Sequence, residues 1–214
     1  MKSDSNKAIN RVTKKLLKPM GFIRLNDRYW AHDGGWWLAR LNFDPSGWSK
    51  GSYGDVGLQC FLTGTQGWIY NGVTSPRLWV DLDGNEDNFE AQFEEMVQSL
   101  LPIALDLVNN IHTPADFVNQ LRAQNKMKIP DFCSAMLLGL AGDEQAAQAM
   151  FNEVIAHPCE YDYQRADGLG ARVAMDLLSR RDAFYDFADY VVLRTRAINH
   201  LPDLGPNSPP FPWR

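Results

Sequence analysis

Residues 36–43 read Trp-Trp-Leu-Ala-Arg-Leu-Asn-Phe, and their alternation of side chains predicts a strand in the first half of the chain. Side chains alternate across a strand, so the stretch predicts one aliphatic side, ending in Phe43, and one mixed side that carries Arg40. The preceding Asp-Gly-Gly at 33–35 predicts a hairpin turn, because glycine adopts the positive φ that tight turns demand. The sequence therefore predicts a two-sided strand that belongs to a hairpin.

Two further stretches repeat this pattern. In 56–62 aliphatic residues alternate with others such as Gln59, and in 77–82 Leu and Val alternate with Arg77, Trp79 and Asp81. The connections are too short for crossover helices, which predicts an antiparallel sheet. The predicted strands are 22–25, 28–32, 36–43, 53–62 and 77–82.

Apolar residues recur at helical spacing outside the sheet. Pro19 and Gly21 end the first predicted helix, Pro102 predicts a kink or a break in the second, and Thr113 before a proline is a favourable N-cap. The predicted helices are 5–18, 86–111, 114–125, 131–141, 143–157, 165–180 and 182–199. We expect 5–18 and 86–111 to cover the aliphatic side of the sheet.

These elements predict an α+β fold. An antiparallel sheet flanked by helices occupies residues 1–111, and an all-helical region occupies 112–200. The segment 201–214 holds five prolines and is predicted to be an extended tail.

Composition narrows the classes of function. The 214 residues are 45% hydrophobic and 22% charged, as in ordinary globular proteins, with a net charge of −5. No apolar run reaches the ~18 residues needed to cross a bilayer, so we expect a cytoplasmic protein that does not bind membranes. Lys and Arg are concentrated in 1–28, but the acidic remainder makes nucleic-acid binding the least favoured partner class.

Motifs for metals, cofactors and catalysis are missing. Cys60, Cys133 and Cys159 are spaced for neither disulfides nor zinc, which predicts buried reduced thiols. The acidic turn that begins at Asp81 fails the EF-hand pattern, and no nucleotide-binding or hydrolase motif is present. We predict no cofactor and no metal, and the sequence favours a protein that is not an enzyme.

The mixed side of the sheet is the candidate binding surface, because aromatic and arginine side chains dominate interface hot spots. The alternative is that the C-terminal helices cover this side and make it a second core. The candidate residues are Arg28, Trp30, Trp36, Arg40, Gln59, Arg77, Trp79 and Asp81. His32 is expected on the same side.

Several short runs are shared with a known family. They are Leu-Leu-Lys-Pro-Met-Gly-Phe at 16–22, Arg-Tyr-Trp at 28–30, Asn-Phe at 42–43, Ser-x-Trp at 46–48 and Val-Gly-Leu at 56–58. Over residues 8–111 the chain resembles the uncharacterised bacterial family named domain of unknown function 4304. The resemblance implies a helix-flanked α+β sheet and supplies no activity or catalytic residue.

Two functions follow as hypotheses. The first is a non-catalytic protein-binding module, of which an immunity-like protein that masks a toxin is one form, with Asp182, Asp186 and Asp189 steering a basic partner. The alternative is a small-molecule-binding protein or an enzyme with a pocket around Arg40 and Trp79 on the mixed sheet side.

Overall fold

The chain forms two compact units that meet in sequence near residue 110. The computed structural model describes residues 4–45, 51–63, 72–73, 75–81, 86–127, 130–157, 161–205 and 210–214. One unit comprises Met1–Gln59 with Gly72–Asn110, and the other comprises Cys60–Asn71 with Ile111–Arg214. The first holds the described strands apart from the last residue of one of them, and the second is otherwise helical, which confirms the predicted α+β class.

The elements follow the predicted order. The helices are α1 (Asp4–Leu16), α2 (Glu86–Asn110), α3 (Pro114–Ala123), α4 (Phe132–Leu140), α5 (Glu144–Ala156), α6 (Asp162–Leu177) and α7 (Arg181–Ile198). The strands are β1 (Ile23–Arg24), β2 (Tyr29–Asp33), β3 (Trp37–Pro45), β4 (Gly51–Cys60), β5 (Gly72–Val73) and β6 (Leu78–Asp81). α2 runs through Pro102 as one helix, so a break there is wrong. The sequence did not predict β5.

The turn between β2 and β3 explains the two adjacent glycines. Gly35 has a φ of 84°, in the region that other residues rarely adopt. At Gly34 the indole of Trp37 approaches so closely that an added Cβ would lie 2.4 Å from its Nε1. The Asp33 carboxylate accepts a 2.9 Å hydrogen bond from the Gly35 amide and closes the turn. Both glycines are therefore required by geometry.

The sheet order is β1-β2-β3-β4-β5, and β6 also pairs with β4. Antiparallel pairing places Trp30 opposite Leu41, and on the other flank Tyr53 opposite Trp79. Residues directly opposite each other share a face of the sheet. This register decides which side chains meet, and it differs from the predicted arrangement in β2.

The aliphatic side of the sheet packs under α2. Leu41 and Leu58 are fully buried there, and the ring of Phe43 contacts that of Phe93 on α2, with centroids 5.1 Å apart. Gly54 lets α2 approach, because a Cβ at this position would lie 2.7 Å from the sulfur of Met96. The predicted aliphatic side of the sheet is confirmed, and it forms the core of the first unit.

Two basic residues of α1, Arg11 and Lys15, have a structural role. Arg11 donates to Glu90 at 2.7 Å, and Nζ of Lys15 lies 2.7 Å from Oε1 of Glu94, so both cations pair with α2. These exposed pairs contribute little individually. Glu90 and Glu94 nevertheless neutralise two of the positive charges that an anionic partner would need.

The second unit is a stack of short helices centred on α4. Residues Phe132 to Leu138 of this helix are all buried. Its N-terminus is capped by Asp131, which accepts from the Ser134 amide at 2.8 Å, and Thr113 forms the predicted N-cap of α3 as part of a capping box. Among the described residues no helix is long and apolar enough to span a membrane.

Candidate functional site

A polar network lies on the mixed side of the sheet. Arg40 donates to Asn42 over 2.8 Å and to Gln59 over 3.0 Å, and its guanidinium lies 4.7 Å from the ring centroid of Tyr29. Asn42 in turn donates to the Asp55 carboxylate. Three neighbouring strands thus contribute to one connected set of side chains.

The network is an interior feature. Arg40 and Gln59 are each only 2% exposed, and Asn42 is 1% exposed. Burying an arginine is tolerated when its hydrogen bonds are satisfied, and a connected network of this kind holds strands in register. A macromolecular partner cannot reach these groups in this structure, so they are not a docking surface.

Among the described residues of the mixed side, the exposed ones lie along β6. There the ring of Tyr53 lies between Arg77, whose guanidinium is 4.1 Å from the ring centroid, and Trp79, at 4.5 Å between centroids. Arg77 also lies 3.9 Å from the carboxylate of Asp55. Trp79 is 37% exposed, and Asp81 follows on the same face.

Three of the predicted site residues lie elsewhere. Trp30 pairs with Leu41 and therefore faces the aliphatic side, and the Arg28 guanidinium bonds to Asn6 of α1 on that side. Their predicted place on the mixed side is wrong, because the register of β2 puts Tyr29 there instead. Trp36 lies in the turn before β3 and is buried.

His32 also faces the aliphatic side, opposite Ala39, which corrects its predicted position. Its ring meets that of Phe22 edge-on at 6.0 Å, and its Nδ1 is buried without a hydrogen bond. Burial lowers the pKa of His32, with a smaller opposing effect of Asp33. The neutral imidazole is therefore the form that fits this site.

The acidic stripe on α7 consists of Asp182, Asp186 and Asp189, and two of these residues pair with other residues of the chain. Arg214 reaches the carboxylates of Asp186 and Asp189, and Trp213 donates to Asp189. The end of the predicted tail thus packs on α7. Of the three acidic residues predicted to steer a partner, only Asp182 has neither of these contacts with the tail.

An apolar groove lies between α6 and α7. Its volume is about 290 Å³, and its floor includes Phe132 of α4. Each wall carries four residues at helical spacing i, i+3, i+4, i+7. These are Ala166, Leu169, Gly170 and Val173 on α6, and Phe187, Tyr190, Val191 and Arg194 on α7.

The rim of this groove is unusually exposed for apolar side chains. Leu169 is 66% exposed, Tyr190 55% and Val173 47%. The three-residue connection 178–180 reverses the chain between the two helices. This arrangement places Ala166 and Arg194 at one end of the groove, and Val173 and Phe187 at the other.

A second cavity, of about 240 Å³, contains two carboxylates. It is lined by Asp131 and Asp167, with His157, Tyr163 and Gln164 around them. Burial, and then the neighbouring Asp131, raise the pKa of Asp167 to about 6, and burial raises that of Asp131 as well. A carboxyl with a pKa of about 6, as at Asp167, exchanges protons near neutral pH, which is the behaviour of an acid–base group.

Sequence reasoning missed the groove although a signal was present. Both helices carry apolar residues around more of their circumference than one buried face requires, as Leu169, Tyr190 and Leu193 show. Among the described residues no three metal-ligating side chains cluster. The two described cysteines, Cys60 and Cys133, are buried and form no disulfide, as expected, and Cys159 lies outside the described residues.

No protein-family model matches this chain, and neither curated proteins nor solved structures show a match to it. The resemblance to domain of unknown function 4304 stays a prediction.

Proposed function

We propose that this chain is a non-catalytic protein-binding module whose helical unit takes up an apolar segment of a partner in the groove between α6 and α7. The observation that carries the proposal is the exposure of Leu169, Val173 and Tyr190 around one concave surface. Contiguous exposed apolar surface on a folded domain marks interaction sites.

The energetics favour a protein segment. Full burial of a side chain such as Leu169 or Val173 contributes about 1.5–3 kcal/mol. Tyr190 adds a large rigid ring with a polar end, the kind of residue that dominates hot spots. A few such contacts at the centre of an interface are enough to give specific binding.

The buried thiols of Cys60 and Cys133, which form no disulfide, support a reducing compartment such as the cytoplasm, because disulfides are rare there. An immunity-like protein, which masks the working surface of a toxin, is one form of such a module. Masking requires only that the partner bind, so this role asks for no catalytic group.

The experiment compares two substitutions of exposed leucines. Leu169→Asp places a charge in the groove, and Leu193→Asp places one on α7 outside the groove, at a residue that is 50% exposed. A partner co-purified from the source cells, then titrated in purified form, is expected to bind wild type and Leu193→Asp equally and Leu169→Asp at least about tenfold more weakly. Equal binding of Leu169→Asp, with both variants folded by circular dichroism, contradicts the proposal.

The cavity with Asp131 and Asp167 favours a second candidate function, the binding of a small cationic molecule. The two carboxylates and the ring of Tyr163 present charge and a π-face together. A thermal-shift panel of amines and guanidines tests it, since a ligand raises the apparent stability by mass action. A melting temperature that an amine or guanidine raises for wild type but not for Asp167→Asn supports this candidate. A melting temperature of wild type that none of these compounds raises counts against it.

A further inference from the structure

We propose that the segment bound in the α6–α7 groove is an amphipathic helix that carries an acidic side chain at the end next to Arg194. This inference rests on the proposed function, because it names the chemistry of the partner that the groove accepts. It follows from the shape of the groove, from its walls and from the charge at one of its ends.

The walls favour a helix over an extended segment. Both are helical surfaces, and a third helix packs its ridges into the groove between two others. An extended peptide would place unpaired backbone N–H and C=O groups against apolar side chains, and this costs free energy. The lining of α6 from Ala166 to Val173 covers seven steps, or ~10 Å, which matches about two turns of a bound helix.

The charge favours an acidic residue at one end. Among the described residues of the lining Arg194 is the one that is charged. It is exposed, and it donates a 3.4 Å hydrogen bond to the hydroxyl of Tyr190. A partner that covers this end removes water from the guanidinium, which is unfavourable unless a carboxylate replaces the water. Charge complementarity therefore selects Asp or Glu in the bound helix.

The experiment selects groove ligands from a phage-displayed library of 16-residue peptides. Selection uses wild type, after depletion on Leu169→Asp. The inference expects enriched peptides with apolar residues at i, i+3, i+4 and i+7 and with Asp or Glu at one end. Groove-dependent peptides without an acidic preference, or bound in extended form by circular dichroism, overturn it and leave the proposed function standing.

A charge exchange then tests the contact directly. The best peptide is synthesised with Glu, Gln or Lys at the acidic position, and fluorescence anisotropy measures its affinity for wild type, Arg194→Gln and Arg194→Glu. We expect the Lys peptide to bind wild type at least about tenfold more weakly than the Glu peptide, and Arg194→Glu to reverse this order. An order that Arg194→Glu does not change overturns the inference.

Two other outcomes bear on the same question. A dimer of wild type by light scattering that Leu169→Asp dissociates shows that a second copy fills the groove, and this overturns the inference. A library that yields no groove-dependent peptide, together with a natural partner whose binding ignores Leu169→Asp, refutes the proposed function itself and the inference with it.

Discussion

Nε1 of Trp213 donates a 2.7 Å hydrogen bond to Oδ1 of Asp189, and this bond ties the end of the chain to α7. Nη2 of Arg214 lies 2.7 Å from Oδ2 of the same carboxylate. The hydrogen bonds of Arg214 to Asp186 and to Asp189 raise the pKa of its guanidinium. The acidic stripe of α7 thus serves first to hold the chain's own C-terminus.

The Asp189 contact predicts a loss of stability on substitution. Asp189→Ala removes the acceptor of the Trp213 indole and one partner of Arg214, and we expect the free energy of unfolding to fall by about 1–2 kcal/mol. Chemical denaturation measures this, with Asp203→Ala as an exposed control that changes it by less than about 0.5 kcal/mol. Tryptophan emission of Asp189→Ala should also shift to the red as Trp213 becomes wet. An unshifted spectrum and unchanged stability contradict the clamp.

The network around Arg40 predicts a larger loss of stability than the Asp189 contact does. Arg40→Ala leaves buried acceptors on Asn42 and Gln59 without their donor, so we expect the free energy of unfolding to fall by about 3 kcal/mol or more. The matched control is Arg77→Ala, since Arg77 lies on the same side but is exposed, and its loss should cost less than about 1 kcal/mol. Equal effects of the two substitutions would show that burial does not distinguish these arginines.

His32 predicts a dependence of stability on pH. Its pKa is lowered in the folded chain by burial, so between the folded pKa and the ordinary value of ~6.5 the unfolded chain binds more protons. The contribution of the neutral ring is therefore present above about pH 6.5 and is lost as the pH falls towards the folded pKa.

Denaturation at several pH values measures this contribution. The free energy of unfolding of wild type should fall more steeply between about pH 7 and 5 than that of His32→Leu. His200→Asn replaces an exposed histidine and should keep the wild-type slope. A His32→Leu slope equal to that of wild type contradicts the prediction.

Asp167 predicts a dependence of stability on pH with the opposite sign to that of His32. Its pKa of about 6 in the folded chain lies above the usual value for a carboxyl, so the folded chain binds more protons between those values. The fold therefore loses stability as the pH rises from the usual carboxyl pKa of about 4 to about 6, and the full loss is present above that pH. Because water partly screens the Asp167 carboxyl, its effect on stability is smaller than that of a fully buried group. We expect Asp167→Asn to stabilise the protein by on the order of 1 kcal/mol at pH 7.

The pH profile provides the check on Asp167. The advantage of Asp167→Asn in denaturation should shrink as the pH falls through 6 towards 4. Asp176→Asn, at an exposed position of the same helix, should change stability by less than about 0.5 kcal/mol at either pH. An advantage of Asp167→Asn that is constant across this range contradicts a carboxyl with a raised pKa.

The error at Trp30 shows where local reasoning stops. The sequence predicts that side chains alternate between the two faces within β2 and within β3. It does not predict which residues of β2 share a face with Leu41 of β3, because that depends on the length of the turn between the strands. The described turn leaves four residues, 34–37, between the paired Asp33 and Leu38. A change of one residue in this register moves every side chain of a strand to the other face.

Local chemistry by itself determined the element types, the glycine turn, the Thr113 cap and the oily side of β3, because each depends on neighbours within a few residues. Tertiary structure alone decided the rest. Residues 60–63 belong with the helical unit, Asp131 and Asp167 share a cavity, and Leu169 and Tyr190 stay exposed across a groove. Such pairings join residues far apart in the chain, and only packing brings them together.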